Sequence, residues 1–344
     1  MTDTLPTADD RPRPASSLAR RHFLRSSAQV GVAAGGLALL SACGGSSDDD
    51  STVTPTPTPT PTSTSAIIDA DALNVLLNLQ YLQAQFGRFV TTGTNISAIA
   101  NTQTATDGGL FPGGGAALLT GTGTQGAVTG GRAVSFANAT IAQYAREIAT
   151  DDLAHLRFLR SALGSQAVAQ PAINIDGGAS GAFTRVAQLG GYAAAGVAFD
   201  PYASDLNYLL AAFVLKDLAV TAMKGISTLL TNVLYLDAVA GMLATQAYHA
   251  ALIRTTLYTM GQGAAAGQFS NARDGLDGSV DIDQGITGTA TTANIAPVDS
   301  SGRVFTRTAG QMLNVLYLNS AATTTGGFLP SGANGNIKTS AASN

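Results

Sequence analysis

The sequence predicts an all-α protein built on a four-helix bundle, and three observations predict it. Four apolar stretches of helical length lie near residues 69–90, 137–163, 203–230 and 233–260. The first carries Leu73, Leu76, Leu77, Leu79, Tyr81, Leu82 and Phe86, a broad apolar face at helical spacing. Stop and start signals fall where such helices need them. Asp69 or Asp71 can cap the first, Gly164 ends the second, Pro201 precedes the third and Gly261 ends the fourth. The composition, 45% hydrophobic and only 12% charged, supplies a large core and leaves a surface of Gly, Ser, Thr, Asn and Gln. Average soluble domains carry about 25% charged residues.

In chain order, residues 1–42 read as a signal peptide. "RRHFLR" (20–25) is followed by the apolar run "AQVGVAAGGLALL" (28–40) and then "SAC". The run is too short for a spanning helix, which needs about 20 residues. Arg20 and Arg21, with Phe23 and Leu24, resemble a twin-arginine signal. Leu40-Ser41-Ala42-Cys43 resembles a bacterial lipobox. Cys43 is the one cysteine of the chain, so no intramolecular disulfide can form. The expectation is a lipid on Cys43 that anchors the protein to a membrane; the competing reading is an incidental cysteine in a leader. The implied location is exported, periplasmic or at the cell surface. Gly44 after the cysteine leans towards the outer membrane in a Gram-negative host.

Residues 43–65 read as a Thr/Pro-rich linker. "STVTPTPTPTPTSTS" (51–65) favours extended polyproline II, at about 3.1 Å per residue, and spaces a domain from its anchor. The leader holds five Arg and three Asp, so the remainder of a chain of net charge −4 carries −6. No basic patch is present, which excludes nucleic acid as an expected partner. Protein partners are not legible.

The bundle proper spans 66–261. A long Gly/Thr-rich connection (91–136) follows the first helix and permits a crossover or a surface excursion. The third and fourth helices meet through a short joint at Thr231-Asn232, so they are antiparallel neighbours. Residues 262–344 form a Gly-, Thr- and Asn-rich extension expected to pack on the bundle. One short helical run stands out in it, "TAGQMLNVLYLNS" (308–320).

Polar side chains interrupt the apolar helices. The first carries Gln80, the second Asp152 and His155, the third Asp217, and the fourth Gln246 and His249. A spacing of three residues places Asp152 with His155, and Gln246 with His249, on common faces. The segments "LNLQYLQAQF", "YAREIATDDLAHLRFLRSALG", "FDPYASDLNYLLAAFVLKDLAVTAMKG" and "LATQAYHAALIRTTLY", with "GAVTGGRAVSF" and the tail "FTRTAGQMLNVLYLN…GGFLPSGANG", resemble the ferritin-like proteins. Within them they resemble a secreted bacterial branch related to plant desiccation-related proteins. The resemblance covers roughly 66–340.

That resemblance implies a ferritin-like bundle and a place for metal. Metal-binding relatives hold two iron or manganese ions with four glutamates and two histidines. The matching positions here are Gln80, Asp152, His155, Asp217, Gln246 and His249. Both histidines are kept and no glutamate is. Glu147 is the one glutamate of the chain and is turned off that face. The family's tyrosine seven residues after the first acid is replaced by Gly87.

Hard divalent ions want anionic oxygens. Four carboxylates balance two ions, whereas Asp152 and Asp217 supply −2 and balance one. The expected cofactor is therefore none, or one divalent metal (Zn, Mn or Fe) on Asp152, His155, Asp217 and His249. In the metal-free alternative, Asp–His pairs and amide hydrogen bonds close the bundle interior. The leading functional expectation is an exported, lipid-anchored ferritin-like protein with a degenerate metal site and a structural or desiccation-stress role at the envelope. It would have no catalytic residues. A mononuclear metal-binding protein or oxidoreductase is the second reading, and a surface partner-binding module the third. "DGLDGSVDIDQG" (274–285) is acidic but lacks the register of a calcium loop and reads as a solvated loop. The glycine-rich 109–131 lacks Gly-Lys-Ser/Thr and is no phosphate loop.

Overall fold

Helix α1 runs from Thr64 to Thr92, α2 from Ala139 to Leu163, α3 from Ala182 to Leu189, α4 from Asp205 to Ser227 and α5 from Val233 to Thr259. Helices α6 (Gly263–Asp277) and α7 (Ala309–Tyr317) follow in the extension. This computed structural model describes residues 64–100 and 114–342. Arg20, Arg21, Cys43 and the Thr/Pro tract up to residue 63 lie outside the described residues. The protein is all-α, with a four-helix bundle formed by α1, α2, α4 and α5. No described helix is long and apolar enough to cross a membrane.

Local chemistry fixes the helix ends. Asn138 caps α2 by accepting from the backbone N–H groups of Thr140 and Ile141. Ser204 and Asn232 cap α4 and α5 in the same way. Thr308 and Gln311 form a reciprocal capping box on α7. Gly164 takes φ +55° at the end of α2 and Gly261 takes φ +70° after α5, conformations that side chains with a Cβ resist. Asp69 does not cap α1. It sits one turn inside, buried, and accepts from the backbone N–H groups of Thr231 and Asn232, pinning the α4–α5 joint.

Side-chain pairings give the bundle its directions. Gln80 meets Asp152 and Asn74 meets Gln166, so α1 and α2 are antiparallel. Gln83 meets Lys216 while Asp69 meets Thr231, so α1 and α4 are antiparallel as well. Helices α2 and α5 are paired by Asp151–His249 and Tyr235–Ala162. Helices α2 and α4 are therefore parallel, and the segment 164–204 that joins them travels the length of the bundle. That segment carries α3. A two-residue parallel pair, β1 (Val128–Thr129) with β2 (Ile173–Asn174), ties it to the α1–α2 connection.

Helix α4 is the central column. Every residue from Tyr208 to Met223 is buried, because α1, α5, α6 and α7 all pack against it. This burial on all sides explains the near-continuous apolar run, which shows little amphipathic pattern. Helices α3 and α6 were not expected from the sequence. Helix α6, "GAAAGQFSNARDGLD", is glycine-rich, and its buried face includes Ser270 and Arg273, so it carries no clean apolar stripe.

Candidate functional site

Helix α4 brings Lys216, not Asp217, to the bundle centre. The Lys216 ammonium lies 2.6 Å from Oδ1 and 2.6 Å from Oδ2 of Asp152 on α2. It also donates to Gln83 Oε1 of α1 at 2.8 Å and to Gln246 Oε1 of α5 at 3.1 Å. One cation on one helix is thus surrounded by oxygens from the other three. Lys216 and Asp152 are both almost wholly buried.

A shell of amides and one imidazole orients these oxygens. Gln246 Nε2 donates to Asp152 Oδ1 at 2.9 Å and lies 3.2 Å from His155 Nδ1. Because the amide nitrogen can only donate, His155 Nδ1 accepts, and its proton sits on Nε2. Gln80 Nε2 donates to the backbone carbonyl of Asp152 at 2.8 Å, and its Oε1 accepts from Gln83 Nε2 at 3.4 Å. His249 is turned to the edge between α2 and α5, with Nε2 3.1 Å from Asp151 Oδ2. Its buried Nδ1 has no hydrogen-bond partner among the described residues.

Electrostatics follow from burial. Burial alone would raise the Asp152 pKa, but Lys216, His249 and the bonds from Lys216 and Gln246 outweigh it and hold the carboxyl below the usual range. Burial pulls the Lys216 pKa below that of a free lysine, against the opposing pull of Asp152. Burial first, and then the neighbouring Lys216 charge, lower the His155 pKa to about 4 although Asp152 opposes them. His155 is therefore neutral at pH 7. Burial also raises the Tyr208 phenol, with Asp152 adding to the effect.

Five of the six expected positions, Gln80, Asp152, His155, Gln246 and His249, gather in this region. Asp217 does not. Its Oδ2 accepts from Arg254 Nη1 at 2.7 Å and Arg273 Nη2 at 3.2 Å on the side of α4 that faces the extension. The reason is angular: one residue along a helix is a turn of roughly 100°. Lys216 and Asp217 therefore serve different sides of α4. Gln83, Asp151 and Lys216 were missed by the sequence reading. The signal for Gln83 was its spacing of three from Gln80. The signal for Lys216 was a lysine inside "FVLKDLAV", in a chain with three lysines in all.

The Asp217 side holds a second ionic cluster. Arg273 donates to Asp283 through Nε at 2.5 Å and Nη2 at 2.7 Å. Arg307 spans Asp277 at 2.5 Å and Asp283 at 2.8 Å. Despite its burial, Asp283 is held down to a pKa of about 2 by Arg273 and Arg307. Asp277 and Asp283, expected in a solvated loop, are instead buried counter-ions of Arg273 and Arg307 within the extension, and those two arginines reach the bundle at Phe213, Asp217 and Thr221.

The arrangement does not fit the dinuclear centre of metal-binding relatives. One carboxylate faces the centre, and both of its oxygens are engaged by an ammonium. Gln80 and Gln246 supply neutral oxygens, and Asp217 is spent on two guanidinium groups. Among the described residues, no three His, Cys, Asp or Glu side chains are grouped so as to hold a metal ion.

The comparisons with known proteins agree with the fold. The ferritin-like domain profile matches residues 68–259, a span that contains all four bundle helices apart from the first turn of α1. The chain belongs to the ferritin-like domain family. It is also similar to a desiccation-related protein of Craterostigma plantagineum, with 43% identity over 60 residues. That match spans 17% of this chain and 19% of the plant protein. No solved structure matches the chain.

Proposed function

We propose that this is an exported, lipid-anchored ferritin-like protein with a structural, desiccation-stress role at the cell envelope, and that its metal site is degenerate. The observation that carries the reading is the Lys216–Asp152 contact. The one central carboxylate is committed to a protein cation, so the bundle interior serves cohesion rather than chemistry. The leader supports the location: Arg20 and Arg21 precede a short apolar run, and Cys43 stands where lipoproteins are acylated. The similarity to a desiccation-related protein supports the stress role. A large core under a surface poor in charge suits a protein that keeps its shape as water is withdrawn.

Two experiments test this. Metabolic labelling with a radioactive fatty acid should mark the wild type and not Cys43→Ala, and Cys43→Ala should leave the membrane fraction. Deletion of the gene should lower survival of drying, and the wild-type gene should restore it. An unlabelled, freely soluble wild type would refute the anchor. Unchanged survival across drying regimes would refute the stress role.

A further inference from the structure

We infer that Lys216 is the resident cation of this bundle, a tethered ammonium that stands where relatives hold metal and closes the centre to divalent ions. The inference deepens the degenerate-site reading and does not depend on the anchor or on the stress role. The geometry is that of a coordinated ion. Four oxygens from three helices lie within 2.6–3.1 Å of one nitrogen. The charge balances within the contact, because one ammonium neutralises one carboxylate, while His155, Gln80, Gln83 and Gln246 are neutral. A divalent ion entering here would meet one carboxylate and a like-charged ammonium with little water to screen them. Two glutamines in place of acids suit this arrangement. Gln246 keeps a long side chain whose oxygen accepts from Nζ, and Gln80 orients Gln83 and the Asp152 backbone, without adding charge that a single cation could not balance.

The tether also explains why the site can do without an external ligand. A metal centre leaves its apo form with uncompensated buried carboxylates, and its stability depends on metal supply. Here the cation is part of the chain and is present whenever the chain is folded.

The test uses the full chain purified without an affinity tag, with zinc, manganese and n-propylammonium as probes. Propylammonium reproduces the lysine side chain beyond Cβ. The wild type should carry substoichiometric metal, and its melting temperature should not move with zinc, manganese or EDTA. Lys216→Ala should melt roughly 10 °C lower, because it strands a buried carboxylate. Propylammonium should restore much of that loss, and tetramethylammonium, too large for the vacated space, should not. If Lys216→Ala does not fold, the paired variant Lys216→Met with Asp152→Leu removes both charges. It should fold, melt within a few degrees of the wild type and ignore propylammonium. The inference is overturned if the wild type holds about one metal per chain, if metal raises its melting temperature, or if Lys216→Ala melts like the wild type. A failed paired variant would also overturn it, because the centre would then need more than charge balance. Loss of membrane labelling or of drying tolerance would bear on the proposed function alone.

Discussion

Lys216 Nζ and the Asp152 carboxylate meet at 2.6 Å through both oxygens, with both side chains almost wholly removed from water. This contact sets the first prediction. Breaking a buried pair by removing one partner costs about 3–5 kcal/mol, whereas replacing both by well-packed apolar groups is often neutral. Asp152→Leu alone should therefore destabilise by about that amount. Adding Lys216→Met should recover most of it. Chemical denaturation of the two single variants and the double variant, read as a thermodynamic cycle, checks this. Simple additivity would show that the two side chains do not act as a pair.

His155 predicts a pH dependence with a definite sign. Its folded pKa is about 4, against 6.5 for an unperturbed histidine. Between those values the unfolded chain takes up a proton that the folded chain refuses. Stability should therefore fall as pH drops from about 6.5 to about 4, by roughly 3 kcal/mol from this group, and this contribution should level off below that. Asp152, whose folded pKa is depressed, adds a further loss at lower pH as it protonates. Melting temperature against pH checks the window, and His155→Gln should remove this loss between pH 4 and 6.5, leaving the opposite contribution of Asp277, whose folded pKa burial raises to about 6.

The fold and the site were legible to different degrees. The four long helices could be read because their apolar runs and stop signals are local properties, and Gly164 and Gly261 act where the sequence places them. Gln80, Asp152, His155, Gln246 and His249 could be found because polar groups in apolar helices need partners. What chain order could not give was rotation about the α4 axis. Lys216 and Asp217 are adjacent, and which one turns inward depends on Arg254 and Arg273. Arg273 lies on α6, a helix with too weak an apolar pattern to be seen. The acidic 274–285 segment was misread for a related reason: its counter-ion Arg307 arrives from residues far along the chain.

Arg254 predicts a coupling between the bundle and the extension. Its guanidinium reaches Asp217 and also donates to the backbone carbonyls of Gln284, Gly285, Asn294 and Ile295. Arg254→Met should cost about 3–5 kcal/mol by stranding buried partners. It should also expose the 284–295 segment to proteolysis before the helices unfold. Arg254→Lys should rescue little, because an ammonium cannot reproduce the planar five-donor fork. Limited proteolysis with mass mapping of the first cut provides the check.

Gly87, at the place where the resemblance implies a tyrosine, predicts close helix contact. A Cβ built there would lie 3.0 Å from Ala149 Cβ and 3.1 Å from Ala149 Cα. Alanine gains about 1 kcal/mol of helix propensity over glycine, but overpacking costs typically about 1–3 kcal/mol. Gly87→Ala should thus be neutral to destabilising rather than stabilising. Combined with Ala149→Gly, it should show a favourable coupling of about 1–2 kcal/mol. Equilibrium denaturation of the four proteins in the cycle measures it, and zero coupling would mean that α1 and α2 are further apart at this level.

The most direct test of the tethered cation is a crystal of the full chain soaked in manganese, with anomalous diffraction recorded at a wavelength where manganese scatters strongly. The account predicts no anomalous peak between Asp152, His155 and Gln246, and Lys216 in full density between Asp152, Gln83 and Gln246. A manganese peak at that point, with the Lys216 side chain displaced from Asp152, would contradict it.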